Sequence, residues 1–265
     1  MARNKNRYTK IIEAIFDSYF KKGAKEVPFN RSDIVDVARE LGIRLPKNLG
    51  DVLYTFRYRA DLPESIRKKA PPDFEWVIRP AGRSKYQFVL ISEASIVPSS
   101  MLAETKIPDS TPGIIEKYAL NDEQALLAKL RYNRLIDIFT GLTCYSLQSH
   151  LRTSVSSIGQ VETDEIYIGI DKRGAHYVLP IQAKGGKDKL GIVQIEQDLA
   201  ICSEKFPDLI CLPIAAQFMK GQVIALFLLE QTETGVAVAS EKHYRLVSPD
   251  ELSEDELLTY KTRLE

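Results

Sequence analysis

The sequence predicts an α/β (α+β) protein in which a mixed central sheet is flanked by helices and preceded by a smaller, mostly helical domain. Three observations carry that prediction. Apolar residues recur at three- and four-residue spacing up to about residue 60 and then give way to two extended runs. Residues 92–118 hold three prolines and a Ser/Thr cluster without periodicity, which reads as a linker or a long connection. Beyond it a helix, three strands and a second helix follow, the order of a sheet covered by helices. The expected division is 1–95, a linker over 96–118, and 119–265.

In the first part, Ile11, Ile12, Ile15, Phe16 and Tyr19 form one stripe of a helix over Arg7 to Lys21. A second helix takes Asn30 or Ser32 as N-cap, turns Ile34, Val35, Val37, Ala38 and Leu41 inward, and stops at Gly42. A third covers "KNLGDVLYTFRYRA", with Leu49, Val52, Leu53 and Phe56 inward. Trp76 to Arg79 and Tyr86 to Ile91 read as two strands around the turn "PAGRSK".

Net charge is zero, yet residues 1–100 carry 19 Lys and Arg against 12 Asp and Glu, while the rest carry 17 against 24. A basic half suits a polyanion, and an acidic half gathers carboxylates. Two helices joined at a short turn, a third helix and a basic hairpin resemble a winged helix-turn-helix domain. That resemblance implies a third helix lying in the major groove of double-stranded DNA, presenting Lys47, Asn48, Tyr54, Thr55, Arg57 and Arg59. Arg79, Arg83 and Lys85 would belong to the wing.

After the linker, "NDEQALLAKLRYNRLIDIF" reads as one helix, with Asn121 and Gln124 as a capping box and Leu127, Leu130 and Ile138 on one face. "CYSLQSHLRTSV" reads as a strand, and "ETDEIYIGID" and "HYVLPIQAK" as an antiparallel hairpin around "KRGA". Reflection about Arg173 sets Asp164 opposite Gln182 and Glu162 opposite Lys184, and alternation puts all four on one face. Polar groups gathered at the end of a buried hairpin are costly unless something binds between them. Two oxygen donors suit Mg²⁺, and the ammonium suits an attacking water or a phosphate. A helix over "GGKDKLGIVQIEQDLAICSEKF" follows, with Gln194 off its apolar stripe. "LICLPIAAQF" and "QVIALFLLE" complete the sheet.

The order helix, strand, strand with "ETD", strand with "PIQAK", helix resembles the PD-(D/E)xK nuclease superfamily over residues 119–230. By that resemblance Asp164 is the metal-binding aspartate, Gln182 stands where Glu or Asp is usual, and Lys184 is the catalytic lysine. The metal ligands are then Asp164 and Gln182. Glu123 matches an extra acidic residue on the preceding helix, and Gln194 a helix glutamine of some branches. Glu162 or Glu165 would replace the charge that Gln182 lacks. The implied activity is Mg²⁺-dependent hydrolysis of duplex DNA by a homodimeric type II restriction endonuclease, with a cognate DNA methyltransferase encoded nearby. Two rivals stand beside it: a repair or recombination nuclease of the same superfamily, and a non-catalytic winged-helix regulator with a degenerate nuclease domain.

No apolar run reaches the roughly 18–20 residues that cross a membrane, and no signal-peptide core follows the basic start, so cytoplasmic residence is expected. Cys144, Cys202 and Cys211 form no CxxC pair and read as free thiols. His150, His176 and His243 are scattered and read as surface or core residues. P-loop, GxSxG and HExxH patterns do not occur.

Overall fold

The computed structural model describes residues 7–92, 95–119, 122–156, 158–186, 188, 190–232 and 235–262, with the backbone alone at Tyr58, Arg59 and Asp122. The chain divides into two compact units. One comprises Met1–Ile96, Arg152–Glu162 and Gly191–Ile201, and the other Val97–Leu151, Thr163–Leu190 and Cys202–Glu265. Thus two short stretches from the second half of the chain cluster with the first 96 residues. None of the described helices is long and apolar enough to cross a membrane.

The first unit runs α1 (Arg7–Tyr19), β1 (Glu26–Asn30), α2 (Arg31–Glu40), α3 (Gly50–Tyr54), α4 (Glu64–Arg67), β2 (Glu75–Pro80), β3 (Lys85–Ile91) and β4 (Ser95–Ile96). Ile11, Ile12, Ile15 and Phe16 of α1 are buried as their spacing predicts, whereas Tyr19 at the helix end is exposed. Asn30 is the N-cap of α2, closed by a capping box in which the Asp33 carboxylate accepts from the Asn30 N–H at 2.8 Å. Leu41, expected inward, lies past the last helical turn and is exposed. The expected third helix is α3 continued by a π-helical turn, Thr55–Arg59, closed by the Ala60 N–H on the Thr55 carbonyl. Strands β1, β3 and β2 form an antiparallel sheet in that order, and β1 adds a strand that the sequence pattern does not show. Its Val27 and Phe29 point inward on either side of Pro28, which an edge strand tolerates. Phe16 packs edge-on against both Trp76 and Phe88, joining helix to sheet.

The second half continues with β5 (Glu104–Pro108), α5 (Gly113–Tyr118), α6 (Asp122–Tyr132), α7 (Leu135–Thr140), β6 (Thr143–Val155), β7 (Gly159–Ile170), β8 (His176–Lys184), β9 (Leu190–Gly191), α8 (Ile192–Lys205), β10 (Ile210–Cys211), β11 (Ile214–Phe218), β12 (Val223–Thr232), β13 (Gly235–Val247) and α9 (Glu254–Thr262). Seven of these strands follow the order β5-β13-β12-β11-β8-β7-β6, with β10 also beside β8. The sheet is mixed: β8 is parallel to β11 but antiparallel to β7, and β5 is parallel to β13. Its interior strand β8 is buried from Val178 to Lys184, the continuous run expected when helices cover a sheet.

The helix expected after the linker is two helices, because Arg134 takes a left-handed backbone at φ 50° between α6 and α7. Leu126, Leu127, Leu130, Leu135 and Ile136 are buried, while Ile138, expected on their face, is exposed. Asn121, expected as the N-cap, lies outside the described residues. Within the stretch read as a linker, β5 pairs with β13, and both strands extend the sheet beyond what the sequence pattern predicted. The helix expected from Gly185 begins only at Ile192. Cys144, Cys202 and Cys211 are free thiols, and burial pushes that of Cys144 up to about 11.

Candidate functional site

The β7–β8 hairpin sets the site. Its pairs run from Ile170–His176 to Glu165–Ile181, the register obtained by reflection about Arg173. Asp171 holds the turn by accepting from the Arg173 and Ala175 N–H groups at 2.8 and 2.9 Å. These bonds and the adjacent Arg173 guanidinium draw the Asp171 carboxyl down to about 2.

After Glu165–Ile181 the ladder between β7 and β8 stops, whereas β8 stays paired with β11 through Lys184–Gln217. The Ala183 N–H, released from β7, donates to Asp164 Oδ2 at 2.9 Å. Lys184 Nζ lies 3.9 Å from the same Oδ2 and 3.3 Å from Glu123 Oε1 on α6. Burial raises the Asp164 carboxyl above its ordinary value, with Lys184 and the Ala183 N–H pulling it back down. Glu123 adds to the rise, and His150 opposes it. The side chains of Lys184 and Asp164 are 9% and 18% exposed and that of Glu123 is 42%, so the cluster opens to solvent on the Glu123 side.

The remaining candidate residues have different surroundings. Gln182 is buried, and its amide nitrogen lies 3.5 Å from Thr163 Oγ1. Glu165 points to the opposite face of β7, where Arg131 and Ser146 both donate to its Oε1 at 2.5 Å. Glu162 accepts from Arg152 at 3.0 Å. The carboxylate beside Asp164 and Lys184 is therefore Glu123 from the helix, not Glu162 or Glu165 from the strand. Gln194 sits half-buried in the first turn of α8, within the other unit. Among the described residues no group of three or more His, Cys, Asp and Glu side chains is placed to hold a metal ion.

One neighbour escaped the sequence reading. His150 on β6 bonds through Nε2 to the amide of Gln124, the residue after Glu123, at 2.9 Å. Strand alternation cannot show this meeting, because Gln124 and His150 are 26 residues apart and on different elements.

In the first unit Lys47 and Asn48 are exposed, and Asn48 begins α3 by accepting from the Gly50 N–H and donating to Asp51. Tyr54 is exposed, and the Thr55 hydroxyl donates back to the Asp51 carbonyl at 2.7 Å. Arg57 has Nε and one terminal nitrogen inside the protein, and the side chain of Arg59 lies outside the described residues. Arg79 is held by Glu196 in a two-pronged ion pair. Arg83 and Lys85 are exposed and, with Asn30, Arg31 and Ser32, line an open groove of about 400 Å³. Comparison with protein-family models, with curated proteins and with solved structures finds no match to this chain.

Proposed function

We propose that the protein is a Mg²⁺-dependent DNA endonuclease of the PD-(D/E)xK type, most similar to a homodimeric type II restriction enzyme. The observation that carries this reading is the meeting of Asp164, Glu123 and Lys184 where the β7–β8 ladder ends inside the central sheet. Two carboxylates with hard oxygens suit a cation that keeps several waters and is completed by substrate phosphate. Asp164 and Glu123 would hold it, with the Gln182 amide oxygen as the further donor read from the sequence. When bound, Mg²⁺ lowers the pKa of a coordinated water and polarises a phosphoryl oxygen. The chain's own residues do the rest. The Ala183 N–H fixes one oxygen of Asp164 and so orients the other. Lys184, held between two carboxylates, offers its ammonium to the charge that develops on the phosphate during hydrolysis.

The first unit supplies the winged-helix contribution in this proposal: Lys47 and Tyr54 approach the major groove, and Arg83 and Lys85 meet the phosphates of duplex DNA. A methyltransferase of the same specificity would protect the host target. Purified Lys184→Ala and Asp164→Ala chains are expected to bind duplex DNA and fail to cut it, losing at least 10²-fold in rate. Cleavage by Lys184→Ala at the wild-type rate overturns the site.

A further inference from the structure

His150 contacts the residue next to Glu123, the carboxylate that meets Lys184 of the Asp164–Lys184 cluster. Where Asp164 and Lys184 are mostly covered, His150 is exposed to solvent. Its contact with Gln124 places it beside the helix that delivers Glu123. That contact engages Nε2 and leaves Nδ1 as the ring nitrogen that can meet a ligand. The backbone is the second observation. His150 sits inside strand β6 with φ 49°, in the left-handed region that side-chain-bearing residues seldom occupy and that recurs at functional sites. His150 also favours the charged form of Asp164, so the two groups share one electrostatic environment.

We propose that His150 is a substrate-contacting residue of this site, donating from Nδ1 to a non-bridging oxygen of the phosphodiester while Gln124 holds its Nε2. This rests on the nuclease reading of Asp164 and Lys184. Asp164 and Lys184 act from below the phosphate, and His150 closes the solvent side, where water otherwise competes for the anion. Gln124 serves as a positioning residue through the ring.

The test uses the full chain, a supercoiled plasmid of mixed sequence and Mg²⁺. His150→Gly removes the ring and relieves the backbone, so its melting temperature is expected to equal or exceed that of the wild type. Its single-turnover cleavage is expected to slow by about 10²-fold. His150→Asn also tolerates the left-handed backbone and returns a donor near the Nδ1 position, so it should recover about tenfold of that loss. Wild-type cutting by His150→Gly, with Lys184→Ala inactive, overturns the proposal and leaves the site reading intact. No recovery in a stably folded His150→Asn overturns the donor role. Failure of the site reading shows differently, as a wild type that does not cut or a Lys184→Ala that does. In that case titration with inorganic phosphate decides, followed on the His150 ring signal by NMR. A saturable shift keeps His150 as an anion contact, and an unmoved signal removes it.

Discussion

Asp164 is a carboxylate kept where water would solvate it better, and this has a cost that pH can read. Its folded pKa is raised, so the native state holds a proton that the unfolded chain has already released. Stability contributed at this position therefore falls as pH rises from the ordinary value of 3.8 toward the raised one, and stays lower above it. In metal-free buffer, Asp164→Asn is expected to gain stability relative to the wild type across that window and to match it near pH 3, measured by urea unfolding at each pH. A difference that does not change with pH would mean that burial is not what raises this group. Glu165, one residue along, is fully buried on the other face and meets Arg131 instead. Adjacent carboxylates on one strand thus have separate tasks, one at the cluster and one tying β7 to α6.

Elements place these residues, and the hairpin turn matters most. A one-residue slip there would move Asp164 to the wrong face of the sheet. Gly174 lies in the turn at φ 83°, and a Cβ added to it meets nothing within 4 Å. Gly174→Ala should therefore cost about 1–2 kcal/mol of stability from backbone conformation alone, with cleavage retained because Asp171 still holds the register. Urea unfolding alongside the plasmid assay checks both halves. This hairpin was legible in the sequence because two extended, largely apolar runs flank one glycine turn. Strand β1 was not: "EVPFN" is five residues with a proline at its centre, too short for alternation to stand out. The break between α6 and α7 was also hidden, since Arg134 in a left-handed conformation leaves no glycine or proline signal. Among the site residues, Asp164 and Lys184 meet, although the expected Asp164–Gln182 and Glu162–Lys184 pairs lie beyond the last pair of the ladder. Only a resemblance points to Glu123, and no sequence pattern points to His150, because contacts between elements distant in sequence have no local pattern.

For the whole molecule, charge is unevenly spread: the net positive first hundred residues stand against a net negative remainder. If Arg83 and Lys85 contact phosphates, replacing both with Ala in the full chain should lower the slope of log affinity against log salt by about 2. An unchanged slope would assign the basic hairpin to some other partner. The sheet of the second unit has a consequence in time. Strand β5 pairs with β13, and the ion-paired Glu104 and Arg245 that link them are 141 residues apart. At ribosomal speeds of about 5–20 residues per second, β5 waits roughly 7–30 s for β13 to be made. Throughout that wait its backbone donors and acceptors are open to any extended segment nearby. Lys106 at the middle of β5 is a charge that discourages such pairing. Later the same lysine joins Glu256 in an ion pair, and the Lys106 N–H donates to the Tyr260 hydroxyl oxygen. The residue that guards the nascent strand becomes a fastening of the finished one.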